Sequence, residues 1–163
     1  MFRNLLTATL TATLLASTAP AFAATMVKEV DVSADLAAIK NPKAATYWTK
    51  VSDDLENAIV TRLTPDRIAD NGAKITIDID EVELANSFQE TMGIADSKLV
   101  GSVSVTSDDD NTVFDGYVLT ISYADTVPFF PEGTDLTKIT NDSKEHYDAM
   151  IAAFATRVVT DLK

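Results

Sequence analysis

Three segments between residues 74 and 123 alternate between apolar and polar residues, and this alternation limits the possible folds more than any other feature. The isoleucines of 74–84 give the clearest case, and the pattern recurs over 99–106 and 113–123. A period of two is typical of a strand with one covered face and one wet face. We therefore predict three strands over these ranges, connected as a meander.

Details of the pattern predict local features of these strands. In the first one the alternation slips, because Val82 and Leu84 fall on the opposite parity from the isoleucines. A bulge near Asp80-Glu81 would restore the alternation. In the last strand we expect Tyr123 to point inward. A shorter, charged strand over 26–32 is typical of a sheet edge.

Two segments with helical periodicity flank the meander. The first begins at Asn41-Pro42, carries one apolar stripe and ends before Pro65. The second runs from Asp142, which forms a capping-box-like start with Glu145, to Leu162. The element order β-α-β-β-β-α predicts an α+β fold. We expect a two-layer sandwich in which an antiparallel sheet of about four strands carries both helices on one face.

The first 23 residues have the pattern of a cleavable secretory signal peptide. Arg3 precedes an uncharged, largely apolar segment over 5–16, and Ala21-Phe22-Ala23 is the small-residue pattern that signal peptidase recognises. The apolar segment is shorter than the roughly 20 residues that a membrane-spanning helix needs. We predict cleavage after Ala23, a single domain over 24–163 with no membrane insertion, and a periplasmic or secreted location.

Composition excludes several kinds of chemistry. The chain has no cysteine and one histidine, so thiol catalysis, thiolate metal sites and multi-histidine zinc sites are ruled out. The formal net charge is −12, and the segment that contains Arg3 carries no acid. Such an acidic chain is a poor match for the phosphate backbone, so we expect no nucleic-acid partner. No cofactor motif is present, and we expect no cofactor.

The acidic residues leave two alternative functions open. Asp108 and Asp110 are weak metal-ligand candidates, because the turn Asp108–Asn111 clusters the oxygens that Ca²⁺ prefers. The glycine and distal glutamate of an EF-hand are missing there. The second alternative is a carboxylate-based hydrolase, which would need two acids that face each other across a cleft. With no catalytic motif in the sequence, we expect that the protein is not an enzyme.

Two long connections carry the candidate binding residues. Phe88 and Met92 lie between the first and second strands of the meander, and Phe129 and Phe130 lie between prolines after the last strand. A meander places both connections at the same end of the sheet. Connections of this length are typical of function or of local packing. Our main hypothesis is an exported, non-enzymatic envelope protein that binds a partner protein or an apolar ligand through this loop end.

The order of elements resembles that of small periplasmic and outer-membrane accessory proteins of bacteria. Examples are lipopolysaccharide-assembly lipoproteins and auxiliary subunits of export transporters, in which two helices lie on a short antiparallel sheet. The local similarity is Leu99-Val100-Gly101-Ser102-Val103 in a strand. The resemblance implies a binding or assembly role in the envelope. This chain has no cysteine to carry a lipid, so the resemblance does not extend to lipid tethering.

Overall fold

The computed structural model of the protein describes residues 25–35, 41–80, 84, 87–88, 93–108 and 114–162. The fold is α+β, with a four-stranded mixed sheet. In chain order the described elements are β1 (Val27–Ser33), α1 (Pro42–Trp48), α2 (Val51–Arg62), β2 (Ala73–Ile79), β3 (Lys98–Thr106), β4 (Phe114–Ser122), α3 (Tyr123–Thr126) and α4 (Lys144–Asp161). Among these helices none is long and apolar enough to cross a membrane.

The strand order in the sheet is β1-β2-β3-β4. The antiparallel meander of β2, β3 and β4 is confirmed. The prediction of a wholly antiparallel sheet is wrong for β1, which pairs with β2 in parallel. The physical reason is the connection, because the chain returns through α1 and α2 to the end at which β1 begins. A helical crossover of this kind joins parallel strands.

The alternation of the sequence separates the two faces of the sheet. Ile75, Ile77 and Ile79 are buried on β2, and the first two pair with Val105 and Val103 of β3. The opposite face carries mainly threonine, serine and charged residues. α2 packs near β1, α4 packs near β3 and β4, and the two helices contact each other. The buried side chains of α2, α4 and the isoleucine face of the sheet belong to one hydrophobic cluster.

The predicted first helix is divided in two. α1 ends at Trp48. The amide of Lys50 donates to the carbonyl of Tyr47 at 3.1 Å, and this bond spans three residues, as in a turn, where an α-helix has bonds that span four. Asn41 caps α1 as expected, since its Oδ1 accepts from the amides of Lys43 and Ala44 at 3.0 Å each. The apolar stripe continues across the break and is buried throughout: Ala44, Trp48, Val51, Leu55, Ile59 and Leu63.

The second predicted helix is present as α4, with a different cap. Ser143, not Asp142, is the N-cap, and its hydroxyl accepts from the amide of His146 at 3.2 Å. Asp142 instead pairs with Lys43 at 2.9 Å, which joins the starts of α1 and α4. The predicted stripe of α4 is buried: Tyr147, Met150, Ile151, Phe154, Val158 and Leu162.

The predicted strand ends need two corrections. β2 stops at Ile79, and the amide of Leu84 donates to the carbonyl of Asp80 at 3.0 Å, whereas we expected the strand to continue to Leu84. Tyr123 is the first residue of α3 and is half-buried. The strand ends before it because the carboxylate of Asp125 accepts from the amide of Ser122 at 2.8 Å and caps the new helix. The signal segment and Glu81 lie outside the described residues.

We predict that Leu55→Ala and Phe154→Ala each lower the free energy of unfolding by about 2–5 kcal/mol, because both side chains are fully buried. Urea denaturation at constant pH measures the loss. Val60→Ala on α2 is the control, since Val60 is 45% exposed and should cost little. Losses below about 1 kcal/mol at both buried positions would contradict the packing of the helices on the sheet.

Candidate functional site

The candidate site is a groove of about 500 Å³ between the outer strand β4 and helix α4, which we call the β4–α4 groove. Two elements form its walls, and the 3₁₀ turn Val127–Phe129 closes one end through Phe129. It is lined by Val118, Leu119, Thr120, Ile121, Asp125, Phe129, Ala153, Thr156, Arg157 and Thr160. Its surface therefore combines a strand backbone, apolar side chains and a few charges.

The charged side chains of this groove are held in fixed positions. Arg157 donates through Nε to Asp161 at 2.8 Å, one helical turn away, and this ion pair raises the pKa of the guanidinium. Asp125 accepts from the hydroxyl and the amide of Ser122, and these hydrogen bonds hold the pKa of its carboxyl below the usual range. The carboxyl of Asp125 is therefore ionised near neutral pH.

Tyr117 lies on β4 beside this groove and has its ring against the core. Burial raises the pKa of its phenol to about 12, with smaller contributions from Asp161 and Asp115. The hydroxyl is therefore a neutral donor at any physiological pH. Among the described residues it has no hydrogen-bond partner, although the oxygen is buried.

The predicted loop-end residues separate into two groups. Phe129 and Phe130 are half-buried, with Phe129 in the β4–α4 groove and the ring of Phe130 at 6.3 Å from that of Tyr123. Phe88 is also half-buried, and its ring meets that of Trp48 edge-on at 5.5 Å. The two connections thus pack against different helices. Met92 lies outside the described residues.

A second groove, of about 430 Å³, lies between α4 and the pair α1 and α2. Its ionisable groups are engaged with one another. Tyr147 donates its hydroxyl to Asp54, and Lys144 pairs with Asp148 one turn along α4. Asp54 and Asp148 are the two lining acids, and each has its own partner; only the bond between Tyr147 and Asp54 joins two helices.

His146 is buried at the start of α4 and is 1% exposed. Its Nε2 lies 3.0 Å from Oγ of Ser97, whose hydroxyl donates to the carbonyl of Ile94 at 2.7 Å. The imidazole must then donate from Nε2, and Nδ1 has no partner among the described residues. Burial lowers the pKa of His146 to about 4. Sequence reasoning missed this contact, since nothing local connects positions 97 and 146.

The metal-ligand candidates are not brought together in the part of the chain that the structure describes. Asp108 is exposed and pairs with Lys28 of β1 at 2.6 Å, which lowers the pKa of its carboxyl. Asp110 lies outside the described residues. Over the described ranges, no group of three or more histidine or acidic side chains is placed to hold a metal ion.

We predict that His146 is neutral in the folded protein down to about pH 5. Its folded pKa of about 4 is below the ordinary 6.5, so the unfolded state binds the extra proton between these values. The stability contribution of His146 is therefore complete above pH 6.5 and falls as the pH drops toward 4. NMR titration of this single imidazole measures the folded pKa.

The matched variant is His146→Gln, whose amide replaces the donor to Ser97 and does not titrate. The difference in unfolding free energy between the wild type and this variant should decrease from pH 6.5 to pH 4.5. An imidazole resonance that titrates near 6.5, or a pH-independent difference, would contradict the buried neutral state.

Comparison with protein-family models, with curated proteins and with solved structures found no match. The resemblance to envelope accessory proteins therefore stays a prediction that depends on element order.

Proposed function

We propose that the protein is an exported, non-enzymatic binding protein of the periplasm or the extracellular space. In this proposal the domain is a two-layer α+β sandwich that holds a partner protein or an apolar ligand in the β4–α4 groove. The loop end takes part through Phe129, which connects the last loop to this groove.

One observation carries the proposal: this groove is open, is lined by the consecutive β4 residues 118–121, and mixes apolar and polar side chains. Val118 of β4 is 67% exposed and Phe114 of the same strand is 74% exposed, so apolar surface continues from this groove onto the outer face of the sheet. Contiguous exposed apolar surface with a polar rim is typical of a binding surface.

The charged groups in this groove favour binding over catalysis. Arg157 is tied to Asp161, and Asp125 is tied to Ser122 at the end of β4. General acid–base work needs a group whose pKa lies near the operating pH. The pKa values of Asp125 and Arg157 are instead moved away from neutrality by these partners.

We predict that Thr160→Trp abolishes partner binding while the fold is retained. Thr160 lines the β4–α4 groove from an exposed position near the end of α4, so an indole fills this groove without entering the core. The measurement uses tagged protein and envelope extract. Cross-linked proteins are identified by mass spectrometry, and bound small molecules are detected by native mass spectrometry.

The control is Thr61→Trp on α2. Thr61 is also an exposed helical threonine that donates to the carbonyl four residues earlier at 2.7 Å, as Thr160 does, but it lies outside both grooves. Bound molecules should be the same for the wild type and for Thr61→Trp. If Thr160→Trp also retains every bound molecule, this groove is not the binding site.

We also predict that the mature protein begins at Ala24. The small-residue pattern at Ala21-Phe22-Ala23 places signal cleavage there. Intact-mass measurement of protein recovered from the periplasm or the medium gives the N-terminus directly. An intact mass that retains residues 1–23 would contradict export by a cleaved signal.

A further inference from the structure

β4 is an edge strand of the sheet over the residues that the structure describes. The amide of Tyr123 donates to the carbonyl of Ser97 at 3.2 Å. Backbone groups alternate in direction along a strand, so the odd-numbered residues of β4 point their amides and carbonyls toward β3. The alternate residues of the strand point theirs away from the sheet. No described strand pairs with β4 on that side.

Carboxylates close this edge at two points and leave its middle open. The amide of Gly116 donates to Oδ1 of Asp115 at 3.0 Å, and the amide of Ser122 donates to Asp125 at 2.8 Å. Between them lie Val118 and Thr120, whose outward backbone groups bond to no described residue. Two donors and two acceptors with strand spacing thus face the solvent beside this groove.

The other edge of the sheet is protected. On β1 the outward amide of Val32 donates to Oε1 of Glu56 on α2 at 3.0 Å. Glu29 and Asp31 add charge along the same strand and pair with Lys74. Covering elements and charged side chains are the usual means by which an edge strand is kept from pairing. Along Val118 and Thr120, no described strand pairs with β4 and neither side chain is charged.

The β4–α4 groove has the position that an added strand requires. A segment that pairs with β4 would lie about 5 Å from it, beside the residues of α4 that line this groove. Alternate side chains would enter this groove beside Phe129 and Ala153, and the others would lie beside Val118 and Phe114 on the outer face. Extended peptides bind other domains in this way, with backbone hydrogen bonds and side-chain pockets.

The charge around this groove selects the partner. Asp125 and Arg157 are the charged residues that line it, Asp161 pairs with Arg157, and Asp115 and Asp161 both act on the phenol of Tyr117 on β4, so carboxylates outnumber cations around this groove. The whole chain carries −12. A basic segment is therefore attracted to this edge, whereas a second copy of this acidic chain is repelled.

We propose that β4 accepts an extended, basic polypeptide segment of a partner protein as a fifth strand, with its alternate side chains in the β4–α4 groove. This inference rests on the proposed binding function and names its mode and partner class. The segment pairs with the outward backbone groups of Val118 and Thr120.

The test uses a capped, fluorescent peptide in which valine and threonine alternate between flanking lysines, with a glutamate-flanked peptide as its counterpart. At low ionic strength the basic peptide should bind at least about tenfold more tightly, and 0.5 M salt should reduce the difference. Binding should also slow hydrogen exchange at the amides of Val118 and Thr120. Peptide N-methylated at alternate residues should lose this binding.

Three variants separate the backbone of this edge from its charges. Thr120→Pro removes an outward donor that the sheet does not use, and should weaken binding at least about tenfold. Asp161→Asn should weaken binding of the basic peptide alone. Asp148→Asn, which removes the matching ion pair of Lys144 outside this groove, should have no effect.

Three outcomes overturn the inference. If the basic and the acidic peptide bind equally well, the partner segment is not selected for its basic charge. If the amides of Val118 and Thr120 stay unprotected when the peptide binds, the peptide does not add to β4 as a strand. A dimer in sedimentation with those amides already protected assigns the edge to a second copy. The N-methylated peptide keeps the test decisive if Thr120→Pro fails to fold. If Thr160→Trp loses partners while Thr120→Pro keeps them, the binding function stands and strand addition fails.

Discussion

The contact between the Phe154 ring and the backbone at Gly101 sets the position of α4 on the sheet. A Cβ at Gly101 would lie 3.0 Å from Cζ of Phe154 and 3.2 Å from Cδ1 of Ile79. Because position 101 has no side chain, the ring reaches the middle of β3 and is fully buried there. The same placement turns Arg157 and Thr160 toward β4, so the β4–α4 groove depends on this contact.

Periodicity predicts the elements of this chain well, because burial of one face requires a regular spacing of apolar residues. The isoleucines of β2 and the stripe of α4 follow this rule. The break between α1 and α2 had no such signal, since Thr49 and Lys50 are neither glycine nor proline. The direction of β1 was also not predictable from its own residues, because it follows from the crossover that returns the chain to the starting end of the sheet.

The candidate site was only partly predictable. Phe129 was identified from its loop, but the groove that it closes depends on how α4 lies relative to β4, and no local pattern encodes that distance. The hydrogen bond between Tyr147 and Asp54 spans 93 residues and is equally invisible. One sequence signal could have pointed to this surface. Phe114 and Val118 are apolar residues on the face of β4 that the alternation predicts to be exposed to solvent.

The acidity of the chain can explain how the edge of β4 stays open without pairing between copies. An unprotected strand edge with exposed apolar neighbours promotes pairing between copies, and most sheets prevent this with local charge or a covering element. Here β1 is protected locally by Glu56, whereas no strand in the described part of the chain pairs with the outer side of β4. A net charge of −12 acts over the whole surface and opposes contact between like chains at any orientation. Long-range repulsion can thus keep an edge free that local features leave open, without blocking it to a segment of opposite charge.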